Sequence, residues 1–149
     1  MNPMRKLMSK AVPVLVLTCF VLLLHSTAQA QLSRFEGSWR NVDPATSGLT
    51  TLQINTSGVV KVHAWGRCHP TDCDWGEVTG YAYGPNVSSN LMTTARAISA
   101  LYTTGFSETI MIIRPLGRDQ LEASVLTRFT DTSGRAAYTD TYRLARARR

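Results

Sequence analysis

The sequence predicts an all-β protein, a single antiparallel up-and-down β-barrel of about eight short strands. Apolar and polar residues alternate over short runs, most strictly from Leu121 to Thr130, where Leu121, Ala123, Val125, Thr127 and Phe129 fall on one side. The runs are separated by turn clusters such as Asp43-Pro44-Ala45-Thr46-Ser47-Gly48 and Asp131-Thr132-Ser133-Gly134. No segment sustains a helical period. Successive hairpins make a meander, and a meander of this length removes its exposed edges most simply by closing on itself. A two-sheet β-sandwich is the alternative architecture.

The first thirty residues read as a segment apart from this barrel. Arg5, Lys6 and Lys10 make a basic start, Ala11 to Leu24 is an uncharged apolar run, and Ala28-Gln29-Ala30 is a small-x-small cleavage site. That three-part pattern is a secretory signal peptide, residues 1–30, and the apolar run is short for a membrane span. The protein is therefore expected to be secreted or periplasmic, with no integral membrane segment once the signal is removed. Cys19 after Val16-Leu17-Thr18 raises the alternative of a lipoprotein signal, but a cut there would leave Phe20 to Leu24 exposed.

Three of the 16 Lys and Arg lie in that segment, leaving 13 against 10 acids, a balance of +3. Four of the 13 are Arg143, Arg146, Arg148 and Arg149, so Gln31 to Tyr142 is slightly acidic. Such a body offers no basic groove, and nucleic acid is excluded as a partner. Residues 31–145 are expected to form the barrel and 146–149 a basic C-terminal tail.

Taken in order, Leu32 to Arg40 is an aromatic-rich strand candidate. Leu49 to Asn55 alternates, with Leu49, Thr51, Gln53 and Asn55 on one face and Thr50, Leu52 and Ile54 on the other; Thr56-Ser57-Gly58 then turns the chain into Val59. Val59 to Tyr83 is the central hairpin. After the break at Gly84-Pro85-Asn86, Leu91 to Tyr102 alternates well enough to be read as a strand, although Met92, Ala95 and Leu101 also suit a helix face. Ser107 to Arg114 is an apolar strand stopped by Pro115, Leu116-Gly117-Arg118-Asp119 turns, Leu121 to Thr130 follows, and Ala136 to Leu144 closes the chain with Tyr138 and Tyr142 on a shared face.

The central hairpin holds a near-mirror: Trp65-Gly66-Arg67-Cys68, then His69-Pro70-Thr71-Asp72, then Cys73-Asp74-Trp75-Gly76. If Cys68 faces Cys73, a constant index sum sets Arg67 against Asp74, Gly66 against Trp75 and Trp65 against Gly76. That pairs opposite charges and gives each indole a glycine to lie over. Trp65 and Trp75 then point to opposite sides of the sheet, so that only one lies in a core. With Cys19 gone, Cys68 and Cys73 are the remaining cysteines, and in an oxidising compartment they are expected to form a disulfide that stiffens the turn.

At Phe35-Glu36-Gly37-Ser38-Trp39 the opening strand resembles the Gly-x-Trp start of the lipocalin, avidin and fatty-acid-binding-protein group of small barrels. The resemblance implies that Trp39 closes one end of the barrel and that an arginine of the last strand, Arg143, packs over it. The strand count and Trp39-Arg40-Asn41 also resemble avidin. The Trp65-to-Gly76 stretch has no counterpart in those families, so no ligand residues follow from the resemblance.

Catalytic signatures are missing: no nucleophile-elbow, zinc-protease or phosphate-loop motif occurs, and Asp72 and Asp74 have structural roles available in the turn and opposite Arg67. His63, Cys68, His69 and Cys73 are zinc-preferred residue types, but their spacing fits no known finger, so no metal or other cofactor is expected and a zinc protein is an alternative. Binding remains. A stiffened tip of His69, Pro70, Thr71 and Asp72 flanked by Trp65 and Trp75 is preorganised, which lowers the ordering cost of association. The expectation is a non-enzymatic binding module for a protein, a sugar or a small ligand, through the tip or the barrel mouth. A protease inhibitor presenting the constrained loop is the alternative.

Overall fold

The computed structural model describes residues 31–147. Among them are eight strands: β1 (Gly37–Asn41), β2 (Leu49–Asn55), β3 (Lys61–Gly66), β4 (Cys73–Tyr83), β5 (Ala97–Thr103), β6 (Ser107–Pro115), β7 (Gln120–Phe129) and β8 (Tyr138–Arg146). Each pairs antiparallel with its neighbour in sequence, and β1 pairs with β8 through Trp39 opposite Arg146 and Asn41 opposite Leu144. The ring is closed, so the sandwich alternative is discarded. Closure pairs every strand on both sides and leaves no edge for another chain to extend. The expected signal segment lies outside the described residues.

Alternation along the strands decides what fills the ring. Leu52, Ile54, Val62, Ala64, Ile98, Ala100, Met111, Ile113, Leu121, Ala123, Val125 and Leu144 are buried together inside. Side chains fill the interior, as they can in a barrel of this size. Tyr102 brings a phenol into this interior, and its hydroxyl donates to the Val62 carbonyl at 3.0 Å. Burial is the main reason its phenol is held well above the usual tyrosine range.

One end is plugged by the segment just before β1. Leu32–Arg34 is a single 3₁₀ turn rather than the beginning of a strand, and it puts Leu32 and Phe35 into the core. Trp39 donates its indole N–H to the Phe35 carbonyl at 2.8 Å. The cation over Trp39 is Arg146, 4.1 Å from the ring centroid, while Arg143 is exposed. The correction follows from strand parity: Arg146 shares the inward side of β8 with Leu144, and Arg143 alternates outward. Arg146 also donates to the Glu36 and Arg34 carbonyls and pairs with Asp119. It is the last residue of β8, so the barrel reaches one position beyond the expected boundary at 145.

Two other expectations are corrected. Leu91–Thr94 is one α-helical turn, α1, with the strand beginning only at Ala97. The Asn90 side chain accepts from the Met92 N–H, the local bond that lets Asn start a helix. In β2 both Leu49 and Thr50 are buried, because the β2–β3 register shifts between Leu49 and Thr51 and breaks the alternation there. Among the described residues no helix is long and apolar enough to cross a membrane.

Candidate functional site

The Cys68–Cys73 disulfide is present and ties the β3–β4 loop, with the two Cα atoms 5.3 Å apart. Around it the register differs from the mirror. Gly66 faces Cys73 and Trp65 faces Asp74, whereas Ala64 faces Gly76, so Trp75 is an extra residue with no opposite number. The cause is a β-bulge at Gly76, whose φ of +84° is a conformation that residues with a Cβ rarely adopt. The Asp74 carboxylate accepts from the Gly76 N–H at 2.7 Å and fastens the bulge from its own strand.

The bulge turns Trp75 inward. Its indole meets Tyr102 edge-on, with centroids 5.9 Å apart, and lies on Gly66, where a Cβ would sit 2.6 Å from Nε1. The expected contact of Gly66 with Trp75 is therefore made in space although the two residues are not opposite each other in the ladder. Trp75 is half-buried against the core and is withdrawn from the proposed binding surface. Trp65 lies on the other side, stacked face to face on His63 with centroids 3.9 Å apart and planes within 10°. The two tryptophans do point to opposite sides of the sheet.

The charges also regroup. Asp74 pairs with His63, Oδ1 to Nε2 at 2.6 Å, rather than with Arg67. The Gly76 N–H first and His63 second hold the Asp74 carboxyl below its ordinary 3.8. Arg67 instead reaches across to the β1–β2 loop. It donates to Pro44 O at 2.9 Å and Thr46 O at 3.2 Å, its backbone N–H donates to Gly48 O at 2.7 Å, and it pairs with Asp72 at 3.2 Å. One guanidinium thus ties two loops together, a use of several fixed donors that lysine could not reproduce.

Between the tied loops is a concavity of about 370 Å³ lined by Arg40, Asn41, Asp43, Pro44, Thr46, Thr50, Thr51, Arg67 and Asp72. Its floor is held by local bonds: Asn41 donates to Leu49 O at 2.7 Å, and Asp43 accepts from the Ala45 N–H at 2.9 Å. The ladder places Arg40 opposite Thr51, Thr51 opposite Trp65, and Trp65 opposite Asp74. The stacked Trp65 is therefore a direct neighbour of the polar hollow.

Of the residues expected at the site, Trp65, Arg67 and Asp72 converge on this surface. His69, Pro70 and Thr71 stand exposed at the loop tip, beyond the hollow, with a cis His69–Pro70 peptide. Arg40, Asn41, Asp43, Thr51 and His63 were not anticipated there. His63 was legible as the i−2 neighbour of Trp65 on one strand face, and Thr51 follows from extending the β2–β3 pairing back from the Thr56-Ser57-Gly58 turn.

Both thiols are taken up by the disulfide, which removes the sulfur ligands of a zinc site. Among the described residues no group of three or more His, Cys, Asp or Glu side chains comes together to hold a metal ion. Compared with known protein families, curated proteins and solved structures, the chain has no significant match to any.

Proposed function

We propose that the protein is an exported, non-enzymatic binding module and that its ligand is a carbohydrate held on the outer face of β1, β2 and β3. The carrying observation is the adjacency of Trp65, braced from one side by His63, to a hollow lined by Arg40, Asn41, Asp43, Thr51 and Arg67. A sugar presents flat C–H faces that suit an indole and closely spaced hydroxyls that need both donors and acceptors. Arg, Asn, Asp and Thr side chains supply both. The Arg67 bonds and the disulfide fix the walls beforehand, so little ordering entropy is lost on binding.

Other features agree with this reading. The barrel interior is occupied by Trp39, Met111, Leu121 and their neighbours, which favours the outer surface over the mouth. The His63–Asp74 pair orients a ring that stacks on Trp65, a structural use that calls for no chemistry. The disulfide suits an oxidising compartment. The stack of Arg146 on Trp39 also fits the resemblance to lipocalin-like and avidin-like barrels, which carries no ligand residues here.

A glycan array probed with residues 31–149 tests the proposal. Trp65→Ala is expected to abolish binding to any glycan the wild type retains, and unchanged binding contradicts the reading. A protein partner, including a protease, is the second reading, favoured by the exposed His69-Pro70-Thr71 tip that the disulfide holds out. It predicts that Pro70→Ala and Thr71→Ala variants lose a partner captured from periplasm or culture fluid, while Trp65→Ala keeps it.

A further inference from the structure

On the far side of the ring from β2 and β3, the outer wall of β5–β7 carries an apolar stripe. Leu101 on β5 faces Ile110 on β6, and Ile110 faces Leu126 on β7. These side chains are 52%, 48% and 43% exposed. The half-buried Ile112 lies two residues along β6, on the same outer side as Ile110. With Tyr138, Ile110 and Leu126 also line a groove of about 480 Å³. Adjacent large aliphatics on an outward sheet face mark an interaction surface.

The charges around this stripe identify what fits it. Along the outer face of β6 the order is Glu108, Ile110, Ile112, Arg114, and along β7 it is Glu122, Ser124, Leu126, Arg128. In the ladder Glu108 faces Arg128, with an ion pair at 2.6 Å, and Arg114 faces Glu122. The four charges are thus the corners of a rectangle with unlike signs along every edge and like signs on each diagonal. We infer that this wall is an isologous interface for a second copy of the same chain.

The argument is geometric. Two sheets packing face to face across a two-fold axis have that axis lying in the interface plane. If the axis runs along the strands, Glu108 meets the partner subunit's Arg128 and Arg114 meets the partner subunit's Glu122. If it runs across them, Glu108 meets the partner subunit's Arg114 and Arg128 meets the partner subunit's Glu122. Either way the corners are complementary and the aliphatic centre is covered. An axis at about 45° to the strands would cross the two sheets at right angles. Because the rectangle is one strand spacing wide and about 20 Å long, that crossing would leave every corner without a charged partner. The pattern therefore favours aligned over orthogonal packing and sets charged pairs at both ends of an apolar centre. Such a dimer would leave the Trp65 surfaces of both copies outward and free, and the inference does not depend on what they bind.

Sedimentation velocity on residues 31–149 tests it. The wild type is expected to dimerise in the micromolar range, and Ile110→Ser combined with Leu126→Ser to raise the dissociation constant at least about tenfold. Glu108→Arg with Glu122→Arg makes all corners basic, and Arg114→Glu with Arg128→Glu makes them all acidic. Each of these variants is expected to be monomeric alone and to form a mixed dimer with the other, with circular dichroism confirming that the barrel is retained. Should a charge variant fail to fold, the serine pair decides, since both changes are on the outer face. A wild type that stays monomeric throughout, or a dimer that survives the serine pair, overturns the inference.

Discussion

At the scale of single residues, Arg146 and Arg143 differ by one strand parity and therefore in everything else. Arg146 lies over Trp39 and satisfies the Glu36 and Arg34 carbonyls, so Arg146→Ala leaves two partly buried acceptors without their charged donor. The expected cost is about 3 kcal/mol in urea denaturation, with Arg146→Lys rescuing little because the planar fork is lost. Arg143→Ala, on an exposed side chain, is expected to change stability by less than about 0.5 kcal/mol. The resemblance to lipocalin-like barrels implied an arginine of the last strand over Trp39, and counting inward positions from Leu144 would have chosen Arg146. Asp74 supports a pH prediction of definite sign. Its folded pKa is depressed below 3.8 by the Gly76 N–H and His63, so its contribution is fully present above 3.8 and is lost as pH falls through the lower folded value. Titration followed by NMR is expected to show the Asp74 carboxyl protonating below 3.8, and in Asp74→Asn that part of the acid loss of stability is expected to vanish.

At the scale of elements, the β3–β4 hairpin shows where sequence reading succeeded and where it failed. The disulfide and the turn were legible from residue type, and the opposed faces of Trp65 and Trp75 were read correctly although the Gly76 bulge, not an unbroken alternation, sets them. The register was not, since a constant index sum assumes an unbroken ladder and the Gly76 bulge inserts Trp75 into it. Glycine after an aromatic, with an aspartate positioned to accept its N–H, was the available signal. The boundary of α1 was missed for a similar reason: one Asn90 side-chain bond outweighs a weak alternation over Leu91–Thr94. Because the loop it closes is short, replacing Cys68 and Cys73 by serine is expected to cost about 2 kcal/mol in urea denaturation. The far-UV spectrum should remain that of the barrel. A total loss of β signal would mean that the hairpin holds the fold together rather than stiffening one loop.

At the scale of the whole molecule, the meander of tight turns predicted the closed ring, and the ring explains why the site was only half visible. Arg40, Thr51, Trp65 and Asp74 come from four different strands and become neighbours only when β1 to β4 are laid side by side in register. Arg67 supplies the remaining link by binding the β1–β2 loop, a contact across the molecule that no local pattern encodes. The same closure separates two outer surfaces, one polar and aromatic on β1–β3 and one aliphatic on β5–β7.

The central claim is that ligand is held against Trp65 on the outside of the barrel. The most direct measurement is the NMR titration of the indole N–H signals of Trp39, Trp65 and Trp75 with the best glycan from the array. The account predicts that the Trp65 signal shifts in a saturable way while that of Trp39, buried beneath Arg146, stays fixed. Saturable movement of the Trp39 or Trp75 signal with Trp65 unmoved would put the ligand inside the barrel and contradict it.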